Sequence, residues 1–444
     1  MTSVKPLEML LLCDYREDIA ATVREHIDAL TRGSRHRIRK LSILGNLPPR
    51  LDLNHFDAVV IHYSLVACHS SYVSPRTREA LRLFRGLKAI FIQDEYRHVD
   101  ASIAAMREIG IDVLFTCVPE AEIEKVYSSQ LLPGVIKVNV LTGYVPERLL
   151  GKAMLPYAER PIDVGYRARK VPAWLGELGY EKYEIGRNFR DDAAGDNLTL
   201  DISFREEDRL YGDDWIDFVG RCKAMLGVES GASVFDFTGE IQRNVDDHTR
   251  RNPGVSFQKL KKLYFADADG KIALNQISPR CFEAAALRTL LVMYEGEYSG
   301  RMKPWRHYVP FKKDHSNHAD VIAVLKDESR ANEIIEAAYR EVACNPANTF
   351  QAFVDQFDKV ITAAFVASQR AGLPPLDDRE FVTLSSPSLA ARRRWLTRRI
   401  VESSYRFLFS TLLGRAKPET RESVQAWLKF FLHPLRLVWA QLKS

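Results

Sequence analysis

The chain has 444 residues, 46% of them hydrophobic and 27% charged, with a formal net charge of +5. That length accommodates two or three domains, and that balance excludes a disordered or fibrous protein. The six cysteines (Cys13, Cys68, Cys117, Cys222, Cys281, Cys344) form no close pair, which argues against a disulfide framework or a cysteine zinc site and points to a reducing compartment.

The opening segment MTSVKPLEMLLLCDYRED has one lysine and a short apolar run that soon meets acids. It reads as a first β-strand rather than a secretory leader. No run approaches the roughly 18 to 20 apolar residues of a membrane-spanning helix, so a cytoplasmic protein is expected. Strands are predicted within 8–15, 37–44, 56–64, 88–95, 113–118 and 135–143, with helices over 17–33 and 100–110 between them. Continuous apolar strands separated by helices indicate a parallel sheet covered on both faces.

A linker-like stretch, 147–161, ends in Pro161, and the alternation then restarts. Strands are predicted at 162–168, 197–204, 223–229, 290–295 and 307–312, with helices over 213–222 and 329–343. Asp269-Gly270, set between LYF and KIAL, predicts a hairpin joining two strands within 263–274. The fold class expected is therefore α/β, with two Rossmann-like doubly wound domains facing a cleft. The expected spans are 1–155 and 156–375, followed by a helical basic tail at 376–444. From Ser385 onward there are 12 Lys or Arg against 3 Asp or Glu, whereas the preceding 384 residues hold 51 against 55. Trp and Leu recur at helical spacing within 392–444, a pattern suited either to an anionic membrane surface or to packing against protein.

Ligands of doubly wound sheets bind beyond the carboxyl ends of the strands, which directs attention to four segments. In ISPRCFEAAALRTLLVMYEGEYSG (277–300), a short helix opens after Ser278-Pro279-Arg280. Its first amides, the Ser278 hydroxyl and the Arg280 guanidinium suit a phosphate. Glu283, one turn further in, suits the hydroxyls of a ribose, although an acid complementing the helix dipole is the plainer reading. In DVGYRARK (163–170), Gly165 permits close backbone approach, and Arg167 and Arg169 offer cations at a strand end. Glu229 and Ser230 begin a small-residue loop, Ser230 to Ser233, able to cradle a ligand with backbone amides or simply to turn. Tyr298 and Ser299 follow another buried strand. In the first domain, His62, Asp94 and Glu95 end predicted strands and are the candidates for a general base. No metal-ligand spacing is present.

These segments together resemble a GT-B-fold glycosyltransferase. ISPRCFEAAALRTLLV, with DVIAVLKDESRANEIIEAAYREV after it, is similar to the last third of the spore-maturation (CgeB-like) bacterial type. RPIDVGYRARKVPAWLGELGYEK, DISFREEDRLYGDDWIDFVG and LGVESGASVFDF resemble further segments of that group. The likeness covers about 160–365. It implies a hexosyltransferase-type enzyme moving sugar from a nucleotide-sugar donor, held by the second domain, to a bacterial glycan or lipid-linked acceptor held by the first. It also implies that Glu283 holds the ribose, that Arg280 and Ser278 lie near the diphosphate, and that no metal or cofactor is used; nucleic acid is not an expected partner. Many retaining relatives carry a second glutamate about eight positions before the ribose acid. Asn275 stands there, so neither the anomeric outcome nor the donor sugar transfers. A nucleotide-sugar epimerase and a non-catalytic nucleotide-binding assembly protein stay open as alternatives.

Overall fold

A run such as LLVMY, apolar at every position, is satisfied by a strand buried on both faces, and all five of its residues are buried in the computed structural model. The structure describes residues 5–16, 19–368 and 373–386, so the expected tail helices of 392–444 lie outside the described residues. Internal contacts separate the chain into two units. One comprises Met1–Ser42, Leu53–Cys68 and Arg78–Pro375; the other comprises Ile43–Asp52, His69–Thr77 and Leu376–Ser444.

The larger unit contains two wholly parallel sheets. The first is built from β1 (Glu8–Cys13), β2 (Arg37–Ser42), β3 (Ala58–Ile61), β4 (Leu87–Ile92), β5 (Val113–Thr116) and β6 (Ile136–Asn139). Its order is β2-β1-β3-β4-β5-β6. The second is built from β7 (Ile162–Arg167), β8 (Leu200–Ser203), β9 (Cys222–Gly227), β10 (Leu290–Tyr294) and β11 (Val309–Phe311), in the order β11-β10-β9-β7-β8. Strand order reverses at β1/β3 in one sheet and at β7/β9 in the other. These are the switch points where doubly wound sheets receive ligands.

The helices are α1 (Ala21–Gly33), α2 (Pro75–Leu83), α3 (Val99–Ile109), α4 (Ile123–Val126), α5 (Gly176–Asp192), α6 (Gly212–Arg221), α7 (Glu240–Arg251), α8 (Phe257–Tyr264), α9 (Pro279–Ala286), α10 (His318–Lys326), α11 (Glu328–Ala338), α12 (Phe350–Ser368) and α13 (Asp378–Leu384). Helix α12 follows the second sheet in sequence but packs on the first. Phe91 and Phe115 stack with centroids 4.5 Å apart, and Phe357 of α12 lies within 5.8 Å of both. Asp358 of α12 accepts from Ser34 Oγ at 2.6 Å and from the Arg35 amide at 2.8 Å, fixing the helix to the turn before β2. Phe353 and Phe357 are fully buried, and each such ring contributes about 1.5–3 kcal/mol through burial.

The hairpin expected over 263–274 is not formed. Phe257, Leu260 and Tyr264 fall at helical spacing behind Ser256, whose Oγ caps the Lys259 amide, and helix α8 runs to Tyr264. Asp269-Gly270 does turn the chain, with Gly270 at φ +79, but it joins no strands. Instead the Asp269 carboxylate accepts from the Glu177 amide at the start of α5 and pairs with Lys261 at 2.9 Å.

In the smaller unit, Gly45 pairs with Val73, Thr77 Oγ1 donates to the Gly45 carbonyl at 2.7 Å, and a reciprocal Asp377–Glu380 capping box opens α13.

Candidate nucleotide site at the strand ends

Helix α9 begins as the sequence reading expects, with Ser278 as N-cap and Pro279 in the first turn. Proline fits there because its missing N–H would have no helical partner. Cys281, Phe282, Glu283 and Ala284–Ala286 are all buried, so the helix is fixed by packing and its mouth faces outward. Ser278 is half-buried, and among the described residues no group bonds its hydroxyl. Glu283 lies one turn in, 8% exposed, with Oε2 accepting the Trp215 indole N–H at 2.8 Å. Burial raises its carboxyl above the ordinary range, with the Trp215 hydrogen bond and the Arg280 charge opposing. The exposed Arg280 guanidinium lies over the Trp215 ring, 4.8 Å from its centre, and donates to the Arg167 carbonyl.

A second cation, absent from the sequence reading, stands beside these. Lys182 projects from α5, reaching the Gly231 carbonyl at 3.4 Å. Burial pushes its ammonium down to about 8; Asp94 opposes the shift, while Arg280 and Arg169 add to it. Lys182 therefore lies within electrostatic reach of Asp94, Arg280, Arg169 and its neighbour Glu181. Arg169 is exposed, and no described residue pairs with it. Gly176 at the head of α5 could have offered an anion a helix terminus, but Ser233 Oγ and Asp269 already cap the amides of Leu178 and Glu177.

Several expected site residues serve the scaffold instead. Arg167 donates to the carbonyls of Tyr166, Asp201 and Asp208 and pairs with Asp201 at 2.8 Å, so its fork is occupied. Gly165 is required by packing: an ideal Cβ would stand 2.3 Å from Cys222 Sγ and 2.9 Å from a Phe218 carbon. The Ser230–Ser233 loop spends amides internally, Ser230 on Gln276 and Ser233 on Leu175. Glu229 is buried and accepts the amides of Glu297 and Tyr298, each at 2.8 Å, together with the Asn275 amide group. Tyr298 is fully buried, its hydroxyl donating to the Tyr294 carbonyl at 2.6 Å. Ser299, at φ +53, bridges the Ile277 amide and Gln276 Oε1 and so orients the approach to α9.

Of the three carboxyl-end candidates in the first sheet, two are withdrawn from any ligand. His62 is wholly buried, with Nδ1 3.0 Å from Ser64 Oγ and Nε2 3.0 Å from His26 Nδ1. Burial drives its protonation well below the ordinary histidine range. Glu95 receives the Thr116 and Tyr127 hydroxyls and the amides of Cys117 and Val118, all within 3.1 Å. Burial pushes its carboxyl up to about 7. The three expectations treated strand ends as facing a ligand, but these two side chains turn inward, Glu95 to satisfy the loop after β5 and His62 to meet His26 of α1. Asp94 alone stays exposed; it sits at φ +54 and accepts the Tyr96 hydroxyl at 3.0 Å.

Contacts between the two sheets run through the same region. Thr142 Oγ1 donates to the Ile277 carbonyl at 2.6 Å, Gln276 donates to the Cys117 carbonyl, and Gly143 leaves room for Pro279. The α7–α8 insertion reaches across: the Asp236 amide bonds the Tyr96 carbonyl at 2.9 Å, and the Asp100 amide bonds the Phe237 carbonyl at 3.1 Å. Among the described residues, no group of three or more His, Cys, Asp or Glu is placed to hold a metal ion. No helix among them is long and apolar enough to cross a membrane.

No protein-family model matches the chain, and no curated protein matches it in sequence. Solved structures do share its architecture. An α-glucosyltransferase in complex with UDP-glucose and DNA containing an abasic site aligns over 81% of this chain and 100% of its own, at 11% identity and a TM-score of 0.53. An α-glucosyltransferase with UDP and a 13-mer DNA containing an HMU base aligns over the same shares at 10% identity and a TM-score of 0.50. The fold is α/β with two Rossmann-like parallel sheets, as in GT-B glycosyltransferases.

Proposed function

We propose that this protein is a glycosyltransferase that binds a nucleotide-sugar donor at the carboxyl ends of the second sheet. One observation carries the reading: the exposed Arg280 guanidinium stands in the first turn of α9, where the Ser278 hydroxyl has no partner among the described residues, and Lys182 lies within reach of the Arg280 and Arg169 charges. A diphosphate is the ligand that such a set of cations and a helix N-terminus accommodates together. Glu283 then takes the ribose hydroxyls through the oxygen that Trp215 leaves free. The same cations and dipole offset charge on the departing diphosphate, a role that needs no metal. Asp94, across the seam from Lys182, is the base for the acceptor hydroxyl, assisted in orientation by Tyr96. The solved α-glucosyltransferase with UDP-glucose supports the donor class through its shared fold.

The acceptor class, a bacterial glycan or lipid-linked intermediate, and a hexosyl group as cargo rest on the sequence resemblance. Placement at an anionic membrane rests on the basic composition of 392–444, and equal vesicle co-sedimentation of the full chain and a chain ending at Ala391 refutes it. The central test is a binding and turnover panel of UDP-, GDP-, CMP- and dTDP-sugars. Saturable binding of one donor, with sugar transfer or slow donor hydrolysis that Asp94→Asn abolishes, is expected. Failure of every donor to bind refutes the site; binding without any turnover refutes the enzyme.

A further inference from the structure

A second recess lies away from the candidate nucleotide site. It has a volume of about 450 Å³, opens to solvent, and is lined by the segment joining the two sheets, by Arg288 after α9, and by α11. Small-molecule pockets occupy about 300–1,000 Å³, so the size is that of a ligand site. Met154, Tyr157 and Ile335 form apolar walls, and Asn332 stands exposed on the α11 side.

Its charge is unusual. Arg160, in the wall, is buried, yet all its bonds go to neutral groups: Nε to the Leu155 carbonyl, Nη1 to the Cys222 carbonyl and Thr289 Oγ1, and Nη2 to the Leu287 carbonyl. No described carboxylate pairs with it. A guanidinium has five N–H groups, so one remains to be given away. The other cations of the lining are balanced: Arg288 by Glu336 at 2.7 Å, stacked on Tyr339, and Lys152 by Asp217 at 3.4 Å. The recess therefore has apolar walls and one uncompensated positive charge, and a buried charge without a counter-ion is costly.

We propose that this recess binds a small amphipathic organic anion, its charged head against Arg160 and its apolar body against Met154, Tyr157 and Ile335. Titration of the full chain with octanoate, octyl phosphate, octanol and inorganic phosphate, read by calorimetry and melting temperature, tests it. Octanoate or octyl phosphate binds saturably, while octanol and inorganic phosphate bind at least tenfold more weakly. Asn332→Trp, which fills the recess from an exposed position, weakens the organic anion at least tenfold, and so does Arg160→Gln. Since loss of Arg160 can unfold the protein, Asn332→Trp decides the matter. The proposal is overturned when neither anion binds, when octanol binds equally well, or when a normally melting Asn332→Trp protein binds the anion unchanged.

Discussion

Replacing Lys182 with methionine separates a diphosphate site from a mere cluster of charges, because methionine preserves the buried stem and removes only the ammonium. Two unit charges 4 Å apart interact by about 4 kcal/mol at an effective dielectric of about 20. Desolvation consumes much of that, and a charge-assisted hydrogen bond nets about 1.5–3 kcal/mol, or about 10- to 150-fold in affinity. Loss of nucleoside diphosphate binding in that range is expected for Lys182→Met, measured by calorimetry at pH 7. A pH profile adds a signature that a structural role would not produce. Burial holds the free-state ammonium near pKa 8, below the ordinary lysine value, so the group is charged below pH 8 and neutral above. The bound diphosphate favours the charged form, so wild-type affinity falls as pH rises through about 8, by up to about tenfold per pH unit. Lys182→Arg stays charged and flattens the profile. A Lys182→Met protein that binds within twofold of wild type, or a wild-type affinity constant from pH 7 to 9, refutes the assignment.

Glu283→Ala is expected to weaken nucleoside diphosphate binding at least tenfold, about 1.4 kcal/mol; unchanged affinity in a folded variant removes Glu283 from the ribose role. Glu95, raised to about 7 by burial, holds more protons folded than unfolded between about pH 4.5 and 7, so its contribution declines as pH rises through that window. The melting-temperature difference between wild type and Glu95→Gln should therefore move with pH in that sense, and a constant difference contradicts it. His26 shows the opposite sign: burial lowers it to about 3, so the stability tied to its neutral form is complete above about pH 6.5 and is lost as pH falls toward 3. Acid unfolding of His26→Phe should show a shallower pH dependence than wild type over that range.

The sheets were legible because their signal is local: β1, β4 and β10 are apolar at nearly every position, which only a doubly covered sheet satisfies. The α7–α8 insertion escaped because α7 is polar at nearly every position, with only Ile241 and Val245 on its inward face. The start of α9 was equally local, a proline at the first turn followed by an apolar face. Lys182 was not legible, since a lysine in an amphipathic helix ordinarily faces water; its burial, and the charges of Asp94, Arg280 and Arg169 around it, come from residues far along the chain. His62 and Glu95 failed for the converse reason. Sequence places them at strand ends, but whether a side chain there turns outward or satisfies a neighbouring loop depends on partners far along the chain, His26 and Tyr127.

The residue eight positions before Glu283 has a physical explanation in this wiring. Glu229 is buried two residues past β9, beside the β7/β9 switch point, where it accepts two backbone amides and the side-chain amide of Asn275. Space around it is exhausted: a Cβ on Gly296 would stand 2.6 Å from the Glu229 carboxyl carbon. A glutamate at 275 would bring a second carboxylate against the first, and like charges at that range cannot both remain ionised without cost. Asparagine instead donates to Glu229, and Glu229 in turn orders the Glu297–Ser299 turn that positions the approach to α9. Asn275→Asp is therefore expected to destabilise the fold by about 1–3 kcal/mol, through the lost donor and the facing charge. A variant as stable as wild type at pH 7.5 would show that Asn275 is not tied to Glu229 and is free to face the donor sugar.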